Sequence, residues 1–277
     1  MNGLHANRWL LLRRSVQAGI LALFLAGPWF GLWIVKGNLN FSYTLDTLPL
    51  TDPYVLLQSL LAGHWPQARA LTGVAIVVAF YLLVGGRSFC AWACPLNPVT
   101  DLAAWLRARL GIKGGAYLSR STRFWILGVT LAVSVASGSV AWEFVNPVSM
   151  LHRGLFFGFG LAWTAVLAVF LFDLLIANRG WCGRLCPVGA CYSLLGHARL
   201  LHVAAVRRDA CDDCNDCFAA CPEPLVIQLP LKGAAQGIGP AIASAQCTNC
   251  GRCIDVCSKD VFAFQMTHRF SSAGSST

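Results

Sequence analysis

Eight of the thirteen cysteines fall into two runs of one spacing. Cys211, Cys214, Cys217 and Cys221 follow C-x2-C-x2-C-x3-C, with Pro222 next, and Cys247, Cys250, Cys253 and Cys257 repeat it. The spacing suits two cubane [4Fe–4S] clusters. Three close thiolates wrap a cubane corner by corner, while loop amides donate to its sulfides. The fourth cysteine sits past a turn and reaches the other cluster. The expected sets are Cys211, Cys214, Cys217 and Cys257 for one centre, and Cys247, Cys250, Cys253 and Cys221 for the other. Zinc would call for pairs, and these runs offer triplets. Two features depart from the usual pattern: Ser258 stands where a second proline is common, and the 25-residue stretch Pro222–Gln246 is long and Gly-rich around Gly233–Pro240. No C-x2-C is followed by His, which excludes covalent c-type haem.

A second pattern is Cys90-Ala-Trp-Ala-Cys94-Pro95, which recurs as Cys182-Gly-Arg-Leu-Cys186-Pro187 about 92 residues later. One copy would carry little, because cysteine is a common buried residue. Two at matched positions suggest a shared role. Cysteines at i and i+4 of a helix share a face, so Cys90, Cys94, Cys182 and Cys186 are candidates for a metal site, a redox dithiol or packing. A dithiol suits two-electron chemistry such as quinol oxidation. Cys191 is left over and reads as a buried apolar residue.

The elements that must position these residues are apolar. The chain has 277 residues, 56% hydrophobic and 12% charged, with a mean hydropathy of +0.60. Soluble domains carry about 25% charged residues, so composition excludes an ordinary soluble enzyme and disorder. Four stretches approach the ~20 residues needed to span a bilayer: about 16–35, 68–86, 124–142 and 155–177. The first follows Arg8, Arg13 and Arg14, like a signal peptide. Its apolar run is too long for a signal core and no small-x-small site follows, so it reads as a retained anchor. Eighteen basic residues fall on the side of both termini, counting Lys113, and three on the other (Lys36, Arg69, Arg153). The positive-inside rule then makes both termini cytoplasmic, where disulfides would be reduced. The net charge of +9 is a topology signal. Segment 207–277 has 6 basic and 7 acidic residues, so nucleic acid is not an expected partner.

The fold class that follows is an α-helical membrane protein with four transmembrane helices in two repeats, plus a small α+β ferredoxin-like domain with two clusters. Residues 1–202 form the membrane domain and 203–277 the cytoplasmic cluster domain. Asp52-Pro53 and Asn146-Pro147 open the repeats on the outer side. Val99–Leu110 and Val188–Leu201 read as amphipathic helices lying on the cytoplasmic membrane surface. His64 and His152, near Asp52, Glu143 and Arg153, are candidate proton acceptors for a quinol, or simply solvated rim groups. Asp173 lies inside an apolar run, which marks either function or a reach to the interface. Trp29, Trp33, Trp125, Trp142 and Tyr81 suit interfacial belts. Trp163 and the run Phe156–Phe172 read as lipid-facing or packing residues.

The chain resembles the NapH family, the ferredoxin-type membrane quinol dehydrogenase component of periplasmic nitrate reductase systems. The likeness runs through Lys36–Leu39, Leu50–Pro53, Tyr81–Arg87, Phe89–Trp105, Gly180–Gly189 and both cluster runs, and covers essentially the whole chain. It implies a multi-pass bacterial inner-membrane protein that withdraws electrons from membrane quinol. It also implies two partners, a periplasmic iron–sulfur subunit and a membrane-anchored multihaem cytochrome. On this reading the chain is an electron-transfer subunit of a quinol dehydrogenase complex. The alternative is an electron-entry or maturation factor that delivers cytoplasmic electrons to a membrane or periplasmic metalloenzyme, with the Cys-x3-Cys pairs as metal sites. No flavin or nucleotide fingerprint is present, so either reading requires a partner.

Overall fold

The computed structural model describes residues 7–112, 114–158, 160 and 162–266. Lys113, Phe159, Leu161 and the tail from residue 267, which includes Arg269, lie outside the described residues. Helices α1 (Arg8–Phe30), α2 (Pro53–Leu61), α3 (Ala68–Val84), α4 (Ser88–Trp92), α5 (Asn97–Arg109) and α6 (Thr122–Ser137) come first. Then follow α7 (Pro147–Phe157), α8 (Ala162–Leu171), α9 (Pro187–Leu195), α10 (Asp216–Ala220), α11 (Leu225–Lys232) and α12 (Arg252–Asp255). The strands are β1 (Val35–Gly37), β2 (Phe41–Thr44), β3 (Leu48–Thr51), β4 (Leu201–Ala205) and β5 (Phe262–Met266). The chain divides into two units, described in turn.

The helical unit comprises Gln17–Ala79 and Ala93–Cys191. Among the described residues, α1 is the one helix long and apolar enough to cross a membrane; three shorter apolar helices cover 68–84, 122–137 and 162–176. α1 stops at Phe30, short of the expected 35, because Gly31 takes a left-handed φ of 73° and the chain turns into β1. Left-handed glycine is a common helix terminator. The expected span 155–177 is not one helix. α7 ends before Gly158, whose φ is 93°, and α8 continues as a π turn over Phe172–Ile176. Residues 31–52 connect α1 to α2. The structure has an antiparallel β1–β2–β3 sheet there. The alternation at Phe41-Ser42-Tyr43-Thr44 was the available signal.

The two repeats open alike. Asp52 Oδ1 accepts the Tyr54 N–H at 2.7 Å and the Val55 N–H at 3.3 Å to cap α2. Asn146 Oδ1 accepts the Val148 N–H at 3.1 Å to cap α7. Proline at the first helical position suits both starts, since its missing N–H would be an orphan there anyway. Inside, Tyr54, Leu127, Trp142 and Ala190 are buried together, with Trp181, Val188 and Cys191 packed around them. Trp142, expected in an interfacial belt, therefore belongs to the core. Trp29 and Trp125 are exposed, alongside Leu23, Leu71, Ile76, Val129 and Val133.

The cysteine-rich unit gathers the chain up to Val16, Phe80–Trp92 and the chain from Tyr192. β4 and β5 pair antiparallel, with Leu201 opposite Met266 and Ala205 opposite Phe262. Val203, Ala205, Val226, Ile227, Leu231, Ile242, Ile254, Val261 and Phe262 form a core that also contains Cys217 and Cys253. The long stretch between the cysteine runs is not slack. It folds as α11, whose Val226, Ile227 and Leu231 enter this core. The surface helix expected over 188–201 is shorter: α9 ends at Leu195, a 3-10 turn covers Gly196–Ala198, and Leu201 already begins β4.

Candidate functional site

The two cysteine loops share one backbone. Asp213 and Asn215 take left-handed φ of 59° and 64°; at the equivalent positions, Asn249 and Gly251 take 47° and 73°. Asn, Asp and Gly are the residues that tolerate this region. The first thiol of each loop faces the side chain two residues on, Cys211 to Asp213 and Cys247 to Asn249. A short helix follows each loop, α10 and α12.

The structure brings together the cysteines that spacing grouped. Cys211, Cys214, Cys217 and Cys257 line one recess with Phe218, Leu231, Val261 and Phe262. Burial pushes the Cys217 thiol up to about 11, against a pull from the Phe218 amide, and the neighbouring Cys211, Cys257 and Cys214 push further. Cys253 is raised well above its ordinary value, first by burial, then by Cys250, Cys247, Cys221 and Cys217. Cys217 thus neighbours Cys257 of the other run, and Cys253 neighbours both Cys221 and Cys217. Among the described residues, no three His, Cys, Asp or Glu donors stand close enough to hold a single metal ion. A tetrahedral zinc draws its thiolates to about 3.8 Å apart, since Zn–S is about 2.3 Å. A cubane spreads four thiolates over separate corners, and the donor set fits such a group.

The surroundings of the loops differ. Around the first run stand Asp212, Asp213 and Asp216, with Lys232 paired to Asp213 and Cys214 exposed. The Cys214 thiol is raised: the Asp216 amide pulls it down, but desolvation and the Asp212 and Asp216 carboxylates outweigh that. Around the second run stand buried arginines. Arg87 donates to Gln246 O at 2.9 Å and pairs with Glu223 at 3.5 Å, both side chains 2% exposed or less. Arg199 donates to Cys247 O at 3.2 Å, Ser244 O at 2.9 Å and Ile242 O. Burial alone would raise Cys250, yet Arg252 and Arg13 bring it below the ordinary thiol value, which favours the thiolate a cluster requires. Burial keeps Cys247 raised despite Arg199.

Trp92 Nε1 donates to Asn249 O at 3.0 Å, and Asn249 Nδ2 donates to Val84 O at 2.8 Å and Leu201 O at 2.9 Å. Trp9 lies edge-on to Phe264 and Trp92, while Asp255 accepts the amides of Trp9 and Leu10. Sequence reasoning missed Trp9, Arg13, Arg87, Trp92 and Arg199 as parts of this site. The one available signal was that Arg87 and Trp92 flank Cys90.

The Cys-x3-Cys pairs do not lie on single helix faces. Cys90 is on α4, but that helix ends at Trp92, before the buried Cys94. Cys182 is in a π turn over Trp181–Leu185, which closes through Cys186 N–H to Trp181 O at 2.9 Å. The shared-face expectation holds for a continuous α-helix, and neither segment is one. Asp173 is fully buried and does not reach solvent. Its Oδ1 accepts the Trp181 N–H at 2.9 Å, fixing the start of the Cys182 turn. Cys191 packs into the helical core, and burial raises its thiol to about 12.

The rim candidates do not form one site. His64 bonds Gly138 O, whereas His152 is buried against Phe24 and Phe156, and burial lowers it to about 4. Glu143 is engaged by Asn40, Asn146 and Arg153, and Asp52 is occupied as the α2 cap.

Two cysteine loops on a two-stranded sheet define an iron–sulfur electron-transfer protein of the ferredoxin type. Residues 67–113 and 156–204 match a family described as "4Fe-4S binding domain", and 210–261 match a "4Fe-4S dicluster domain". The chain is 48% identical over 271 residues to the ferredoxin-type protein NapH of Escherichia coli K12, covering 98% of this chain and 93% of that one. It is 49% identical to the protein of that name in Haemophilus influenzae, with the same coverage. It is also 52% identical over 266 residues to the methylamine utilization ferredoxin-type protein MauN of Methylorubrum extorquens, covering 96% and 92%. The chain belongs to the NapH family of ferredoxin-type proteins. No solved structure matches it.

Proposed function

We propose that this chain is a four-span inner-membrane subunit that takes electrons from quinol and passes them through two [4Fe–4S] centres towards a periplasmic nitrate reductase pathway. One observation carries the reading. Cys211, Cys214, Cys217 and Cys257, from both cysteine runs, line one recess in a unit that also contains the second run, the start of α1 and the end of α3. α1 is about 35 Å long at ~1.5 Å per residue, enough for a hydrocarbon core of ~30 Å. The shorter apolar helices serve as the other spans, with both termini cytoplasmic.

Cys211, Cys214, Cys217 and Cys257 hold one centre; Cys247, Cys250, Cys253 and Cys221 hold the other. When bound, such cubanes accept and release single electrons. Arg13 and Arg252 stabilise thiolate at Cys250, and Asp173 orients the Cys182 turn through Trp181. Quinol gives up two electrons and two protons. The final carriers are a periplasmic iron–sulfur subunit and a membrane-anchored multihaem cytochrome. Anaerobic EPR of the detergent-solubilised protein, with iron and sulfide assayed in the same sample, tests this. About eight irons per chain and cubane signals on adding a reduced quinol analogue are expected.

A second reading is electron delivery from the cytoplasm to a membrane or periplasmic metalloenzyme. The 52% identity to a protein named for methylamine utilization supports a pathway other than nitrate reduction for such a carrier. Clusters that dithionite reduces and quinol does not would favour it.

A further inference from the structure

Arg87 and Trp92 stand three residues before and two after Cys90, and both reach the second cysteine loop. Arg87 is fixed by Glu223 and bonds the carbonyl just before Cys247. Trp92, on the helix that carries Cys90, donates to the carbonyl of Asn249, between Cys247 and Cys250. Asn249 in turn bonds Val84 O, at the end of α3. The Cys90 segment is thus fastened at both ends to one loop. The loop of Cys211, Cys214 and Cys217 has carboxylates and Lys232 about it, and its Cys214 is exposed.

We infer that the centre held by Cys247, Cys250, Cys253 and Cys221 receives electrons by way of the Cys90 segment, and that the centre held by Cys211, Cys214, Cys217 and Cys257 is reduced only through it. The inference rests on the quinol reading above. The electrons balance: quinol becomes quinone, two protons leave to solvent, and each centre takes one electron in turn. Trp92 and Arg87 are positioning residues in this order.

The test is anaerobic EPR of the full chain in detergent, adding a reduced quinol analogue and then dithionite. Cys214→Ser is expected to keep one quinol-reducible cubane. Cys253→Ser is expected to keep one cubane that dithionite reduces and quinol does not. If that remaining centre in Cys253→Ser is reduced by quinol at the wild-type rate, the order is wrong. Cys253 is a core residue, so Trp92→Phe serves as a second variant that keeps every ligand. It is expected to slow quinol-driven reduction of both centres about tenfold, with iron content and dithionite reduction unchanged. An unchanged quinol rate in Trp92→Phe overturns the inference. A wild type that holds about eight irons but is not reduced by quinol overturns the quinol reading, and this inference with it.

Discussion

The two cysteine loops have the same spacing and the same left-handed positions, yet one is held by buried arginines and the other is edged by exposed carboxylates. Local sequence sets the ligand geometry, and distant sequence sets what surrounds it. The 211–217 loop draws its neighbours from α10, α11 and the turn before β5. The 247–253 loop draws them from residues 9, 13, 84, 87, 92 and 199. The first is therefore close to a free-standing ferredoxin loop. The second is tied into the rest of its unit.

Four experiments test that contrast. The largest effect is expected from anaerobic removal of iron. With Cys217 and Cys253 both in the core, metal loss unfolds the sheet of β4 and β5, since metal-binding energy is folding energy where a preformed site is lacking. Amide exchange should show residues 211–217 losing protection before 247–253. Equal rates would dissolve the contrast.

Next is Arg87→Ala. It leaves Glu223 buried without its guanidinium and is expected to cost about 3–5 kcal/mol, read by denaturant unfolding of the holoprotein. Gly251→Ala should cost less. The left-handed backbone alone costs about 1–2 kcal/mol, and the new methyl would sit 2.7 Å from Trp9 Cγ. Its counterpart Asn215→Gly, measured alongside, should fall within about 0.5 kcal/mol of wild type. Smallest is Lys232→Ala. The Lys232–Asp213 pair is 47% and 65% exposed, so its loss is expected to cost about 0–1 kcal/mol. A cost matching that of Arg87→Ala would show the acidic loop to be as firmly held as the other.

The spacing of the two cysteine runs and the matched openings of the repeats were legible in the sequence because both are local patterns. Cys211 to Cys217 span two turns of chain, and Asp52-Pro53 and Asn146-Pro147 are cap signals within four residues. The break in the fourth apolar stretch at Gly158 escaped notice because hydropathy averages over a window and a single left-handed glycine does not lower it. The clamp on the second loop escaped for another reason. Asp255 meets Trp9 across 246 positions, and Arg87 meets Gln246 across 159. No spacing rule spans such distances. Hydropathy left His64 and His152 as either quinol-facing or solvated groups, because it does not say which way a side chain turns; His152 packs between Phe24 and Phe156 while His64 bonds Gly138 O.

The composite make-up of the cysteine-rich unit also has a consequence in time. Trp9 packs on Phe264 of the last strand, and a ribosome adding about 5–20 residues per second needs some tens of seconds to travel from one to the other. Through that interval the opening of α1 waits for its partner, so the unit closes only after nearly all of the chain has been made. A fragment cut off before β5 would retain all eight clustered cysteines but lose the strand that pairs with β4 and the Phe264 ring on which Trp9 packs.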